Sequence, residues 1–202
     1  VFVTDKGEVI VYRGTDPSSA STWALIGVWI VGAPISRRCS DEVRRRLACA
    51  DAGWPCSRFA SALQSSRLDP NVALSDKIQG AFAIAARTYK DNHGWALQYY
   101  PLTNALIVNI PIAAGSQQQF VMNNITKAWC RFTGWYANCW ALLGNELYFG
   151  SDGYVAKAWT TGTGSAGYND NNQAINTKAL QAFNYFDTRG VIKYFTRGRT
   201  TT

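Results

Sequence analysis

Two carboxylates, Glu146 and Asp152, bracket the segment ELYFG, and this pair could in principle do acid–base work. To hydrolyse a glycoside they would have to face one another across a cleft at about 5–10 Å. Nothing else in the spacing supports that, and strand ends in solvent are the expected positions for both. The segment GTGSAG, Gly162 to Gly167, matches G-x-G-x-x-G, with Asp187 twenty residues beyond the last glycine. A dinucleotide site would need a helix directly after the glycines, whose N-terminus holds the pyrophosphate. YNDNNQ follows instead, a run of poor helix formers, so a polar surface loop is expected. The one histidine, His93, sits in KDNHGW and reads as a turn residue with no metal-ligand spacing around it. Neither G-x-S-x-G nor HExxH occurs. No catalytic, cofactor-binding or metal-binding residue is therefore assigned, and neither a cofactor nor a small-molecule substrate is expected. The chain is not expected to be an enzyme.

The five cysteines leave at least one unpaired and form no C-x-x-C pair. Cys130 and Cys139 bracket CRFTGWYANC and could close a hairpin disulfide. Buried free thiols in a reducing compartment are the simpler expectation. The net charge is +7, and the only dense cationic cluster is Arg37, Arg38, Arg44, Arg45 and Arg46. Such a balance permits contact with nucleic acid, though a solvated exterior accounts for most of it.

The elements that would position these residues are short strands. Hydrophobic residues are 47% of the chain and charged ones 16%, the balance of a globular protein rather than a disordered one. The high aromatic content favours strands. GEVIVY, WALIGVWIV, WALQYY, ALIVNIPI, QQFVMN, AWCRFTGW, CWALLG, ELYFG, YVAKAW, LQAFNYF and VIKYFTR read as strands separated by turn residues. Residues 59–90 differ: FASALQSS suggests a helical turn. After Asp69-Pro70, the spacing of Leu74, Ile78, Phe82, Ala85 and Tyr89 predicts a helix with one apolar face. The longest apolar run, Trp23 to Ile35, is broken by Gly and Pro and is too short to span a bilayer, so no membrane insertion is expected.

One unit recurs in outline, a small-polar-Gly turn followed by a β-branched strand: DKGEVIVY, SDGYVAKAW and DTRGVIKYF. The expected fold is all-β, a β-propeller-like fragment of short antiparallel strands with a small helical insertion at about 59–90. A two-sheet β-sandwich is the alternative. A single β-rich domain over 1–202 is expected. The chain opens on Val1 rather than Met, so the C-terminal part of a longer protein, or a processed product, is anticipated.

The segment Cys39 to Cys56 breaks the pattern. Where a strand pair is due, the chain reads DEVRRRLACADAGW. With permitted codons and a reading frame one base later, the same stretch becomes TKYGGDLLVLTQDG. That contains a Gly-Gly turn, a strand and a DG turn close to one propeller-blade length, roughly 40–50 residues, after Gly7. Residues 40–58 are accordingly read as an atypical segment that is out of frame, with the frame restored before SALQSS, and the Arg44 to Arg46 cluster as no nucleic-acid site.

GEVIVYRGTDPSSASTWALIGVW, PISRRC, ALQSSR, DKIQGA, NALIVNIP, QQFVMN, AWCRFTGW, ELYFG with YVAKAW, and LQAFNYF together resemble a family of tail-associated structural proteins of short-tailed, podovirus-like bacteriophages. The resemblance runs from Val1 to about Arg197 and fails only over roughly Ser40 to Arg58. There the family carries a KYGGDLL-type strand and a DGL-type turn. AWCRFTGW, Ala128 to Trp135, is its most specific element. The resemblance implies a virion protein at the tail hub or nozzle, assembled in the bacterial cytoplasm and present in several copies. Its implied partners are further copies and neighbouring tail or connector proteins. Lys193, Arg197 and Arg199 could meet packaged DNA or an acidic adjoining subunit. A glycan-binding propeller for host attachment is the alternative function. The aromatics Trp129, Phe132, Trp135, Tyr136 and Trp140 fall on both phases of strand alternation, so one set should pack inward and the other should meet water or a neighbour.

The nucleotide sequence from Cys39 to Ala60 tests the insert directly. The expected finding is a second frame encoding the Gly-Gly turn, strand and DG turn; a second frame interrupted by stop codons or lacking these features would exclude the insert.

Overall fold

The computed structural model describes residues 2–30, 33–36, 38, 47–48, 57–58, 74–159, 169–170 and 173–180. The chain divides into two units, Val1–Trp159 and Thr160–Thr202. In the second, β13 (Asn169–Asp170) pairs antiparallel with β14 (Gln173–Ala174). Several expected features lie outside the described residues: FASALQSS, GTGSAG and Asp187, most of LQAFNYF, and VIKYFTR. The same holds for the 40–58 segment apart from the backbone pairing of β4 (Leu47–Ala48) with β5 (Ser57–Arg58).

Among its described residues the first unit is mostly antiparallel β-structure with one small helix. A sheet of four strands forms its centre, in the order β6 (Ala96–Tyr100), β7 (Ala105–Ala113), β8 (Ser116–Asn123) and β9 (Trp129–Thr133). Two further sheets have three strands each. One holds β1 (Phe2–Val3), β2 (Glu8–Arg13) and β3 (Ala24–Ile30); the other holds β10 (Cys139–Leu143), β11 (Glu146–Gly150) and β12 (Val155–Lys157). All pairings are antiparallel and join strands adjacent in sequence. Among the described residues no helix is long and apolar enough to cross a membrane.

Turn chemistry sets these pairings. β10 and β11 are joined by Gly144-Asn145, with φ of 57° and 64°. Positive φ at both central residues suits the twist of a two-residue hairpin. Two copies of the recurring turn are described, and Gly7 (φ 82°) and Gly153 (φ 80°) take the same left-handed conformation within them. Asn104, at φ 52°, closes the PLTN turn between β6 and β7; Asn tolerates that region better than most residues with a Cβ.

β7 carries apolar side chains on both phases, so both of its faces must be covered. Alternation sends Leu106, Val108 and Ile110 to one side and Ala105 and Ile107 to the other. On the first side they pack with Leu97, Phe120, Met122 and Trp95 against a helix. This helix, α1 (Gln79–Tyr89), follows a 3₁₀ turn at Asp76–Ile78. The expected apolar stripe is the one that packs: Phe82 and Ala85 are buried, with Leu74, Ile78 and Tyr89 partly buried beside them. On the second side Ala105, Ile107, Val121 and Tyr100 share a core with Leu147 and Phe149 of β11. Helix, four-stranded sheet and three-stranded sheet thus form successive layers.

Pro111 sits inside β7, where a missing N–H would ordinarily break the ladder. It falls where the β7–β8 register shifts, between Pro111 and Ala113. The carbonyls of Pro111 and Ile112 instead accept from the Asn92 side chain, at 3.0 and 2.9 Å.

Phe82→Ala is expected to lower unfolding free energy by about 3–5 kcal/mol, because it leaves a cavity between α1 and Trp95. Ile84→Ala, at a position 67% exposed on the same helix, should change it by under about 0.5 kcal/mol. Urea denaturation of the two variants gives the comparison; equal losses would show that α1 does not pack as described.

Candidate functional site

The carboxylates singled out by their spacing are held apart. Glu146 opens β11 and Asp152 lies in the turn beyond its end. A five-residue strand separates its end residues by about 13 Å. Glu146 is also engaged, since Lys157 on the neighbouring strand meets its carboxylate at 3.0 Å. That hydrogen bond raises the Lys157 pKa above its ordinary value. The pair is surface-exposed, so its contribution to stability is small. His93 lies exposed in the turn between α1 and β6. Among the described residues no cluster of three His, Cys, Asp or Glu side chains is arranged to hold a metal ion.

Cys130 and Cys139 are free thiols in two different sheets, and both residues are exposed. No disulfide joins them, and the expectation that free thiols would be buried is corrected at these two positions. Cys130 is exposed as a residue, yet its thiol donates to the Val121 carbonyl at 3.4 Å. Partial burial of that sulfur pushes its pKa up. Such a thiol is a weaker nucleophile than a free one at neutral pH. In the basic cluster, Arg38 lies within the described residues; its exposed guanidinium donates to the Asn138 carbonyl at 3.4 Å.

What the fold does bring together is a set of buried amides. Asn109 in β7 is fully buried, and its Nδ2 donates to the carbonyls of Gly94 and Ala137, both at 2.9 Å. Its Oδ1 accepts from Gln119 Nε2 at 2.8 Å, and that same nitrogen donates to the Trp135 carbonyl at 2.9 Å. Two residues earlier on β8, Gln117 Nε2 donates to Asn138 Oδ1 at 2.8 Å. Every one of these bonds except that to Gly94 ends on residue 109 or on the segment 135–138 that joins β9 to β10. The amides therefore fasten the crossing between two sheets. The residues missed by sequence reasoning are these amides. Their signal was a polar residue inside ALIVNIPI and three glutamines opening a strand that is otherwise buried.

An aromatic cage surrounds the same crossing. The Trp135 ring lies 5.2 Å from Phe132, 5.8 Å from Trp140, 6.0 Å from Phe149 and 5.7 Å from Trp159. Tyr100 meets Trp159 at 5.9 Å. Trp129 takes the opposite phase, packing beside the helix-side core and donating its Nε1 to the Leu74 carbonyl at 2.9 Å. Inward packing thus claims Trp129, Phe132, Trp135 and Trp140, while Tyr136 stays exposed. Burial raises the Tyr100 pKa; nearby Glu146 adds to this and Lys157 opposes it.

A groove of about 510 Å³ lies between α1 and β9, lined chiefly by Ile78, Ile84, Tyr89, Phe120, Trp129 and Arg131. It is open and largely apolar, and it gathers no convergent set of acid, base and nucleophile. No protein family, curated protein or solved structure matches the chain. The buried amides hold backbone segments of neighbouring sheets in fixed positions.

Asn109→Ala would remove the side-chain donor to the Gly94 and Ala137 carbonyls and one of the two acceptors of Gln119 Nε2, which keeps the Trp135 carbonyl, at about 1–3 kcal/mol for each buried group left unsatisfied. With Gln119→Ala it should show a coupling energy of about 0.5–3 kcal/mol in a double-mutant cycle. Denaturation of the four proteins measures this, and strictly additive losses would mean the amides act independently.

Proposed function

We propose that this protein is a structural component of a bacteriophage virion, part of the tail hub or nozzle of a short-tailed phage, and that it acts by subunit assembly without catalysis. The observation that carries this reading is the motif AWCRFTGW within a resemblance that spans most of the chain. The same motif supplies β9 and leads into the caged crossing. Its Trp129 and Phe132 pack into different cores. A particle subunit has to keep its shape under load from its neighbours, and a sheet covered on both faces and cross-tied by buried amides suits that task.

A propeller-like arrangement is the finer reading of the fold. The β1–β3 and β10–β12 sheets are each short antiparallel meanders, the kind of unit that propellers repeat around an axis. The proposed partners are further copies of this chain and adjoining tail or connector proteins. Packaged DNA is a further candidate, through Lys193, Arg197 and Arg199, which lie outside the described residues. The proposed location is the virion tail.

Antibody against the purified chain, applied to intact particles and viewed by negative-stain microscopy, tests the reading. Label confined to the tail vertex is the expected result. Label over the capsid faces, or absence of the chain from mass spectra of purified particles, would reject it.

A further inference from the structure

β9 is an edge strand: β8 pairs with one side of it, and among the described residues no strand pairs with the other. The Asn123 N–H donates to the Ala128 carbonyl at 3.0 Å, one step beyond the opposed residues Met122 and Trp129. Opposed residues of an antiparallel ladder alternate between bonded and non-bonded pairs. Val121–Cys130 and Gln119–Phe132 are therefore the bonded pairs of β8 and β9. Trp129, Arg131 and Thr133 turn their N–H and carbonyl groups away from β8, a row that an extended chain can complete.

The same three residues direct their side chains to the helix side of the sheet. Arg131 stands opposite Phe120 and Trp129 opposite Met122, and both of those partners belong to the helix-side core. The groove of about 510 Å³ between α1 and β9 runs along this part of the sheet. Ile84 and Tyr89 line it from the helix, Phe120 and Trp129 from the sheet, and Ile84 is 67% exposed. Arg131 is the one charged residue in the lining. It is exposed, and among the described residues no carboxylate pairs with it.

We infer that β9 and this groove form a docking site for an extended, acidic segment of another protein. That segment adds a strand to the β9 edge and sets a carboxylate on Arg131, between two apolar side chains. The free edge calls for an extended occupant, because a helix uses its backbone groups internally and would leave the row unpaired. In strand addition the main-chain bonds give affinity and every second side chain gives specificity. Here those side chains meet an apolar trough with a single cation in it, which selects the charge of the occupant. A second copy of the chain fits poorly. Arg131 is the central residue of β9, so two such edges paired antiparallel about their centres would set one Arg131 against the other. The net charge of +7 adds to that repulsion and attracts an acidic segment instead. This inference goes beyond the assembly reading and stands whether or not the protein belongs to a virion.

Two blocked peptides make the test: Thr-Val-Thr-Glu-Thr-Val-Thr, and the same sequence with Lys at its centre, each titrated onto the full chain by fluorescence polarisation. The Glu peptide should bind at least about tenfold more tightly than the Lys peptide, and Arg131→Glu should reverse the order. Ile84→Ala, expected to be nearly neutral for stability, should weaken the Glu peptide about fivefold. Hydrogen exchange followed by NMR should show the Trp129, Arg131 and Thr133 amides protected by the Glu peptide. A Glu peptide that fails to bind at about 1 mM overturns the inference. So does a preference for Glu that survives Arg131→Glu, an affinity indifferent to Ile84→Ala, or protection confined to other amides.

Discussion

The fold depends on β7 and β8 being buried on both faces. A strand in that position has no solvent side, so each of its residues must find an apolar neighbour or a hydrogen-bond partner. From this follow the two layers that flank the sheet. The helix-side face needs a cover, and α1 supplies one with Phe82 and Ala85. The other face needs a second cover, and β11 supplies Leu147 and Phe149. Remove either layer and a row of large apolar side chains would meet water, at roughly 1.5–3 kcal/mol for each.

Double burial also explains why the polar residues of these strands are amides. A charge at position 109 would need a buried partner of opposite sign and would carry a heavy desolvation penalty. An amide is neutral, offers two donors and an acceptor, and can bridge several backbone groups at once. Asn109 does so by joining Gly94, Ala137 and Gln119. Because Gln119 and Gln117 reach Trp135 and Asn138, the chain segment that leaves the four-stranded sheet is bound to it before it enters the next. The aromatic cage then packs around the same place.

Much of this was legible in the sequence. The strands of the first unit and the apolar stripe of α1 are where alternation and 3.6-residue spacing put them, since both patterns report which faces are buried. The turns at Gly7 and Gly153 were readable because both glycines occupy conformations that favour glycine. The site was another matter. Asn109 reads as a flaw in an apolar run until one knows that Ala137, twenty-eight residues later, brings its carbonyl to it. Such a contact is set by which sheets stack, and local spacing holds no record of stacking. Pro111 stays within the strand ALIVNIPI because its missing N–H falls at a register shift, and the Asn92 side chain reaches its carbonyl. The Glu146–Asp152 pairing fails through simple geometry, because two residues flanking one strand are kept apart by its length.

The two kinds of sheet in the first unit differ in how their surfaces are resolved, and this has a physical consequence. The four-stranded sheet covers both faces of its central strand β7 from within the chain. The β1–β3 sheet satisfies one face and leaves the other apolar, so part of its favourable free energy is available only on contact. A subunit built solely on the first plan would be rigid and indifferent to neighbours; one built solely on the second would be adhesive and ill-defined. The first unit holds both kinds of sheet.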